Sequence, residues 1–126
     1  MIHMRNLIRS FAAAFRGFSF VARSEQNMRI HITAGIGVLF AGYLFSITLI
    51  EWMLLILCIS AVLITETINT CIECFLDLVH PTLGTQVQRI KDMMSASVVI
   101  ASIAAVFVGL SIFAPRIWNF AVGLSY

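Results

Sequence analysis

The chain has 126 residues, of which 60% are apolar and only 11% are charged, and its formal net charge is +2. A water-soluble domain usually carries about 25% charged residues, so this composition excludes a soluble domain and predicts that lipid covers most of the protein. The net charge is too small to suggest nucleic acid as a partner.

Residues 4–27 are predicted to form an amphipathic helix in the cytoplasmic membrane interface. The helical period places four arginines within about 40° of one another: Arg5, Arg9, Arg16 and Arg23. The opposite side carries apolar side chains: Leu7, Ile8, Phe11, Phe15, Phe18 and Ala22. Two interpretations of the arginines remain open. They either only anchor the helix at anionic headgroups, or some of them also face an anionic substrate.

Three apolar segments are predicted to be membrane-spanning helices. The first, 30–50, has no charged residue and is long enough for a bilayer core of about 30 Å. The second, 51–79, is longer, so one of its ends should project beyond the hydrocarbon. The third, 87–114, is expected to end at Pro115. No function is assigned to the tail, 115–126.

The basic residues predict how the chain is oriented in a bacterial cell membrane. Five arginines precede the first span, none lies between the first two spans, and Arg89 and Lys91 lie between the second and third. Because cytoplasmic loops carry an excess of Lys and Arg, the N-terminus and the 80–91 loop are expected in the cytoplasm. With three spans, the C-terminus lies outside.

Polar side chains enter the second span along one face of the helix. Glu66, Asn69, Glu73 and Asp77 recur at helical spacing and fall within about 80° of arc. Glu66 is expected roughly 7 Å inside the membrane boundary, while Glu73 and Asp77 emerge at the cytoplasmic side. A charge inside a span costs about 2.5 kcal/mol or more and usually marks function. The alternative is a polar contact between helices that holds an oligomer together.

Two further groups extend this row. Glu25 falls on the apolar side of the N-terminal helix if that helix continues without a break, and a hard cation shared with Glu73 would give it a partner. Lys91, Asp92 and Ser95 open the third span. An ammonium there can bind phosphate oxygens, while Asp92 accepts from a sugar or orients Lys91. Alternatively, Lys91 only marks the cytoplasmic end of the span.

Together these groups favour phosphoryl transfer at the membrane face. Such chemistry needs a divalent cation, a positive charge for the phosphates and a base for the attacking hydroxyl. Glu25 and Glu73 suit the first role, Lys91 the second, and Glu66 the third. The motif G-x-x-x-x-G-K-S/T is absent from the sequence, so an ATP site must be of another kind. A proton-coupled transporter and a noncatalytic membrane scaffold are the alternative functions.

Two blocks of the sequence stand in a defined order. The first is Glu66-Thr-Ile-Asn69-Thr-Cys-Ile-Glu73-Cys-Phe-Leu-Asp77, and the second is Lys91-Asp92-Met93-Met94-Ser95-Ala96. They resemble the patterns E-x-x-N-S/T-x-I-E-x-x-x-D and K-D-x-x-S/A-A/G of the prokaryotic diacylglycerol kinase family. Upstream, Arg16-Gly17 and the segment from Glu25 to His31 are similar to its N-terminal block. The resemblance covers residues 5–114 with the spacing preserved.

This resemblance implies an all-helical membrane protein, a homotrimeric bundle with a surface helix and three transmembrane helices in each chain. It implies Mg²⁺-dependent transfer of the γ-phosphate of ATP to a lipid hydroxyl. Glu66 would be the catalytic base, and Glu25 and Glu73 the metal ligands. The residues implied to bind or support the nucleotide are Asn69, Asp77, Thr82, Gly84, Lys91 and Asp92.

Other contacts are expected from the N-terminal helix and the third span. Some family members present an Arg and a Tyr to the nucleotide near Asn6 and Ala13, and this chain has neither. Arg9, or Arg5, is expected to substitute. Arg16 and Ser95 are expected to contact the lipid substrate beside Glu66.

The choice of lipid also follows from the resemblance. The segment from Glu25 to His31 and the triplet Ile50-Glu51-Trp52 are similar to the Gram-positive branch of the family, in which some members phosphorylate undecaprenol in preference to diacylglycerol. Both lipids present a primary hydroxyl at the interface, so the same groups can serve either. The resemblance favours undecaprenol.

Overall fold

The computed structural model describes residues 4–80 and 84–123, and in these ranges the chain folds into helices joined by short connections. The helices are α1 (Met4–Ser24), α2 (Gln26–Leu44), α3 (Leu49–Val79) and α4 (Thr85–Ala121). No strand occurs among the described residues. The predicted all-helical class is therefore confirmed for the part of the chain that the structure describes.

The chain changes direction at Glu25, inside the segment predicted as one surface helix. Glu25 has extended backbone angles (φ −101°, ψ 125°) and occupies the N-cap position of α2. The side chain of Arg29 stabilises this break, because its Nη1 donates to the carbonyl of Arg23, 2.8 Å away, in the last turn of α1. Glu25 is consequently not carried on an uninterrupted amphipathic helix, and its position is set by the junction between α1 and α2.

A tight turn joins α2 to α3, and α2 ends at Leu44, six residues before the predicted boundary. Gly42 allows close packing there, since a Cβ at this position would lie 2.9 Å from the Ile47 side chain and 3.1 Å from Trp52. Ser46 in the turn has a positive φ of 48°. The chain therefore reverses before residue 50, with the side chains of Ile47 and Trp52 packed against the end of α2.

The start of α3 is fixed by a capping box. The Thr48 hydroxyl accepts from the Glu51 N–H at 3.4 Å, and Glu51 Oε2 accepts from the Thr48 N–H at 2.7 Å. Each residue thereby satisfies a main-chain donor that a helix start would leave unpaired. This exchange explains why α3 begins at Leu49 rather than at Glu51.

The last helix does not end at Pro115, as the sequence suggested, but continues to Ala121. Proline lacks the N–H that would bond to the carbonyl one turn earlier. The Arg116 guanidinium lies beside this defect and donates to the Ile112 carbonyl at 2.6 Å. Much of the predicted tail is thus helical, and residues 124–126 lie outside the described part of the chain.

α3 is the central helix of the fold. It packs along α4 and α2, while α1 contacts α2 and α3. A small apolar core lies near the α2–α3 turn. Its buried members are Ile47, Leu55 and Ile112, and Val38, Phe45, Trp52, Val108 and Phe113 pack against them. The core therefore stabilises the end of the bundle opposite the connection between α3 and α4.

Two ion pairs set the antiparallel register of α3 and α4. Near their connection, Lys91 Nζ lies 2.6 Å from Asp77 Oδ1. At the far end, the Arg116 guanidinium binds both carboxylate oxygens of Glu51, at 2.9 and 2.8 Å. The second pair joins residues that are 65 positions apart. A slip of one helix along the other would break both pairs.

Most apolar side chains of the chain face outward. Phe11 and Phe15 on α1 are 69% and 73% exposed, and only Val21 of α1 is buried. α3 and α4 are both long and apolar enough to cross a membrane, yet only 17% of the most apolar window of each is buried within the chain. Lipid or other protein must cover these surfaces.

The far ion pair gives a prediction about stability. We expect Arg116→Gln to lower the thermal unfolding temperature of the detergent-solubilised protein, because Glu51 loses its bidentate partner and the Ile112 carbonyl loses a donor. The double variant Glu51→Gln/Arg116→Gln should lose less than the two single variants combined, since the pair acts as a unit. Arg89→Gln is the control, because Arg89 is exposed and makes no ion pair among the described residues. Strictly additive losses would contradict the coupling.

Candidate active site

A groove lies over α3 between α2 and α4, with a volume of about 480 Å³. Six polar residues line it: Asn27, His31, Glu66, Asn69, Ser95 and Ser102. We call it the polar groove. Its remaining lining is apolar and comes from α4. A second, apolar cavity of about 200 Å³ adjoins it and shares His31, Ser102 and Val106 with it. The polar groove thus opens directly onto a surface suited to hydrocarbon.

Glu66 lies in this groove and is almost completely buried, with 1% of its surface exposed. No side chain of the described residues donates a hydrogen bond to its carboxylate; the Thr70 hydroxyl donates instead to the Glu66 main-chain carbonyl, at 3.0 Å. The ionisable side chains near enough to act electrostatically on this carboxylate are His31, Glu25 and Glu73. Of these, His31 lines the groove together with Glu66.

Asn69 lies one turn after Glu66 on α3 and hydrogen-bonds to the next acid of the row, Glu73. Its Nδ2 donates to Glu73 Oε1 at 3.3 Å, which orients the half-buried Glu73 side chain. Asn69 itself is only 7% exposed, and its Oδ1 has no hydrogen-bond partner among the described residues. The amide nitrogen of Asn69 thus binds Glu73, while the amide oxygen has no partner among the described residues.

No group of three or more His, Cys, Asp or Glu side chains in the described ranges is arranged to hold a metal ion by itself. Mg²⁺ seldom needs such a cage, because it usually takes one or two carboxylates and fills its shell with waters and phosphate oxygens. Glu25 and Glu73 are both half-buried, and both act on Glu66. This donor set fits an incomplete Mg²⁺ shell that a substrate phosphate completes.

Lys91 pairs with Asp77 of the neighbouring helix and not with Asp92, its neighbour in sequence. Asp92 accepts a hydrogen bond from Gln88, one turn earlier on α4, at 2.8 Å. The sequence interpretation in which Asp92 orients Lys91 is therefore wrong. The reason is that α3 brings the Asp77 carboxylate within reach of the Lys91 ammonium. Asp92 instead bonds to a residue of its own helix, Gln88.

Of the other residues predicted for the site, some line the polar groove and others do not. Ser95 lines the polar groove with Glu66 and Asn69. Gly84 is exposed at the start of α4, and Thr82 lies outside the described residues. Arg9 and Arg16 are exposed on α1 and do not line the groove. In this chain alone, α1 does not bring its arginines to the site.

Sequence reasoning missed three residues of the groove: Asn27, His31 and Ser102. His31 gave a usable signal, since a titratable side chain in an apolar segment often marks function. Ser102 gave none, because a serine in such a helix ordinarily bonds to the carbonyl one turn earlier. Only the packing of α4 on α3 reveals that it faces Glu66.

The chain is similar in sequence to proteins of one known family. The model of the prokaryotic diacylglycerol kinase family matches residues 12–113. The chain is 32% identical over 114 residues to the undecaprenol kinase of Bacillus subtilis, a match that covers 90% of this chain and 93% of that protein. It is 33% identical over 118 residues to a diacylglycerol kinase of Synechocystis sp., covering 93% of this chain and 67% of that protein.

The matched region contains α2, α3 and nearly all the apolar part of α4. It therefore includes every residue of the polar groove and both acids that act on Glu66. By these matches the chain belongs to the prokaryotic diacylglycerol kinase family and is a membrane-bound lipid kinase.

Proposed function

We propose that the protein transfers the γ-phosphate of ATP to the hydroxyl of a membrane lipid alcohol, undecaprenol or diacylglycerol, at the cytoplasmic face of the membrane. The observation that carries this proposal is the buried carboxylate of Glu66, which lines a groove open to an apolar cavity. The hydroxyl of a lipid that stays in the bilayer can reach such a carboxylate. A water-soluble acceptor would instead react with a base at the protein surface.

Glu66 acts as the general base in this proposal. The lipid hydroxyl donates its proton to the carboxylate as its oxygen forms a bond to the γ-phosphorus. The bond from that phosphorus to the β–γ bridging oxygen breaks, and ADP leaves. The absence of a side-chain donor to Glu66 among the described residues supports the role, because an ion-paired carboxylate would be a weaker base.

Glu25 and Glu73 would hold Mg²⁺, and the bound ion would supply positive charge to offset that of the phosphates. The Nδ2 of Asn69 keeps Glu73 oriented. Glu25 is held at the break between α1 and α2, and, like Glu73, it is near enough to Glu66 to act on it electrostatically. The protein thus supplies two carboxylates, and the nucleotide and water supply the other ligands.

The nucleotide would lie beside Lys91 and Asp77, at the end of the α3–α4 pair. Eleven residues of helix separate Asp77 from Glu66, a distance of about 16 Å along the axis. Glu73 lies between them. A triphosphate that enters beside Lys91 can therefore extend past Glu73 toward Glu66. Asn69, Asp92, Gly84, Thr82 and Arg9 are proposed as further nucleotide contacts.

We further propose that α2 is a third span. Its 19 residues reach about 28 Å, close to the bilayer core. Gln26, Asn27, Arg29 and His31 make its first turns less apolar than α3 and α4, which suits the cytoplasmic interface. The positive-inside rule then keeps α1 and the connection between α3 and α4 on the cytoplasmic side.

A homotrimer is proposed as the working assembly. The polar groove is open along one side, and the apolar faces of α3 and α4 are mostly uncovered within one chain. A neighbouring copy would cover these faces and bring the α1 arginines, Arg9 and Arg16, toward the nucleotide and lipid. Undecaprenol is the favoured substrate, since the relative that matches over nearly its full length is named for it.

A substrate panel tests the proposed function. Purified protein in detergent micelles is given radiolabelled ATP, Mg²⁺ and either undecaprenol or diacylglycerol, and labelled lipid is measured. We expect Mg²⁺-dependent labelling, with a higher kcat/KM for undecaprenol. ATP turnover without labelled lipid, or no turnover at all, would refute the lipid kinase proposed here.

Glu66→Gln tests the base. We expect kcat to fall at least about 100-fold, while the Kd for ATP, measured by calorimetry, stays within about threefold of wild type. Thr65→Ala is the control, because Thr65 precedes Glu66 on the same helix, donates to the Ala61 carbonyl and does not line the groove. A parallel loss of ATP binding in Glu66→Gln would instead assign this residue a structural role.

Glu25→Gln and Glu73→Gln test the metal site. Each change replaces a negatively charged carboxylate ligand of the proposed Mg²⁺ site with a neutral amide. The Mg²⁺ concentration for half-maximal activity should therefore rise by about tenfold or more. Binding of Mn²⁺ in the presence of ATP, followed by electron paramagnetic resonance, gives a readout independent of turnover. Unaltered Mg²⁺ and Mn²⁺ titrations in both variants would remove the assignment.

A further inference from the structure

The hydroxyl of Ser102 differs from the other hydroxyls in the helices of this protein. Most of those donate to a carbonyl three or four residues earlier: Ser10, Ser24, Thr33, Thr65, Thr67, Thr70, Ser97 and Ser111. Ser102 Oγ is buried and has no hydrogen-bond partner among the described residues. A buried hydroxyl without a partner is costly, so a group from outside the chain is expected to fill this place.

Ser102 stands opposite Glu66 in the bundle. The pair of Lys91 with Asp77 fixes one level of the α3–α4 contact. From this level, Glu66 lies eleven residues along α3, and Ser102 lies eleven residues along α4 in the same direction. Both side chains line the polar groove. The register therefore sets a hydroxyl and a carboxylate across one groove.

A second unpaired polar atom lies in the same groove. Asn69 is more than nine-tenths buried, and its Oδ1 has no partner among the described residues. Asn69 lies one turn of α3 away from Glu66. Two orphaned polar atoms and a carboxylate that receives no side-chain donor thus gather in one place, which points to a ligand that both donates and accepts hydrogen bonds.

The surroundings restrict the chemistry of this ligand. An anionic group without a bound cation is disfavoured as the resident ligand, because the Glu66 carboxylate itself lines the groove. Apolar residues of α4 form the remainder of the wall: Val98, Val99, Ile103, Val106, Phe107 and Leu110. A neutral hydroxyl joined to a hydrocarbon chain satisfies both conditions. Its proton can point to Glu66, and its oxygen can accept from Ser102.

We propose that Ser102 binds the acceptor hydroxyl of the lipid alcohol opposite Glu66. This inference rests on the proposed function and adds a substrate-binding residue to it. The Ser102 O–H donates to one lone pair of the substrate oxygen, while the substrate O–H donates to the Glu66 carboxylate. The second lone pair stays free to attack phosphorus. The two contacts together hold the hydroxyl at the depth of the base and fix its orientation.

Kinetics of Ser102→Ala test this role. Loss of one neutral hydrogen bond should raise the KM for the lipid alcohol roughly 3- to 10-fold, while the KM for ATP and the Mg²⁺ requirement are unchanged. Ser102→Thr keeps the hydroxyl and should retain most of the lipid affinity. Ser111→Ala is the matched control, because Ser111 is exposed on the same helix and donates to the Phe107 carbonyl.

Binding without ATP separates this inference from the kinase proposal. Farnesol, a short prenol, should raise the thermal unfolding temperature of wild type and of Ser111→Ala more than that of Ser102→Ala. Farnesyl methyl ether, which has no proton to donate to Glu66, should stabilise all three less.

Three results would overturn the role of Ser102. One is an unchanged lipid KM with equal stabilisation by farnesol in wild type and Ser102→Ala. Another is an equal rise in the KM values for lipid and ATP. The third is dissociation of the Ser102→Ala oligomer in light scattering, which would assign the hydroxyl to a contact between subunits. Failure of wild type to label any lipid, with farnesol binding intact, would refute the kinase chemistry alone.

Discussion

Polar side chains in an apolar bundle must find their partners within the protein or in a ligand, because lipid offers none. This chain follows that constraint almost everywhere. Its helical hydroxyls mostly bond to their own backbones, Asp77 is paired with Lys91, and Glu51 is paired with Arg116. Among the described residues, the buried side-chain atoms without a hydrogen-bond partner are Asn69 Oδ1 and Ser102 Oγ, and both residues line the same groove as the buried Glu66. The groove is therefore where polar side-chain atoms remain unpaired within the described residues and could bind a ligand.

The two ion pairs give the groove its geometry. Glu51 and Arg116 close one end of the α3–α4 pair, and Asp77 and Lys91 close the other. With both ends fixed, each side chain on α3 faces a defined neighbour on α4. The capping box at Thr48 and the guanidinium beside Pro115 strengthen the far end. At the other end, Asp77 keeps 64% of its side chain exposed, so that ion pair is open at the surface of the chain.

The role proposed for Glu66 gives a reason for an acid inside an apolar helix. The relatives are named for two different lipids, undecaprenol and diacylglycerol, and they match this chain at almost the same identity. The feature common to both lipids is a primary hydroxyl on an apolar molecule. Glu66 is buried in a groove that adjoins an apolar cavity, so as the proposed base it would serve either hydroxyl.

The features that could be predicted from the sequence are those set by local interactions within one helix. Composition and periodicity were sufficient for the all-helical class and for the row from Glu66 to Asp77, because a helix places its own residues at fixed angles. The family and the lipid kinase class followed from the two ordered blocks, and the comparisons confirm both. The break at Glu25 and the continuation of α4 past Pro115 were not predicted. At the break, Arg29 donates to the Arg23 carbonyl. Just after Pro115, Arg116 is held by Glu51 of α3, a residue far away in the chain.

Tertiary structure alone decided which groups meet. In the folded chain, Lys91 forms an ion pair with Asp77 and not with Asp92, and Ser102 lines the same groove as Glu66. Neither follows from spacing along one helix, because the register between two helices is fixed by contacts of residues far apart in the chain. The sequence by itself determined that acids enter a span. The packing determined that one of them, Glu66, faces an unpaired hydroxyl across a groove.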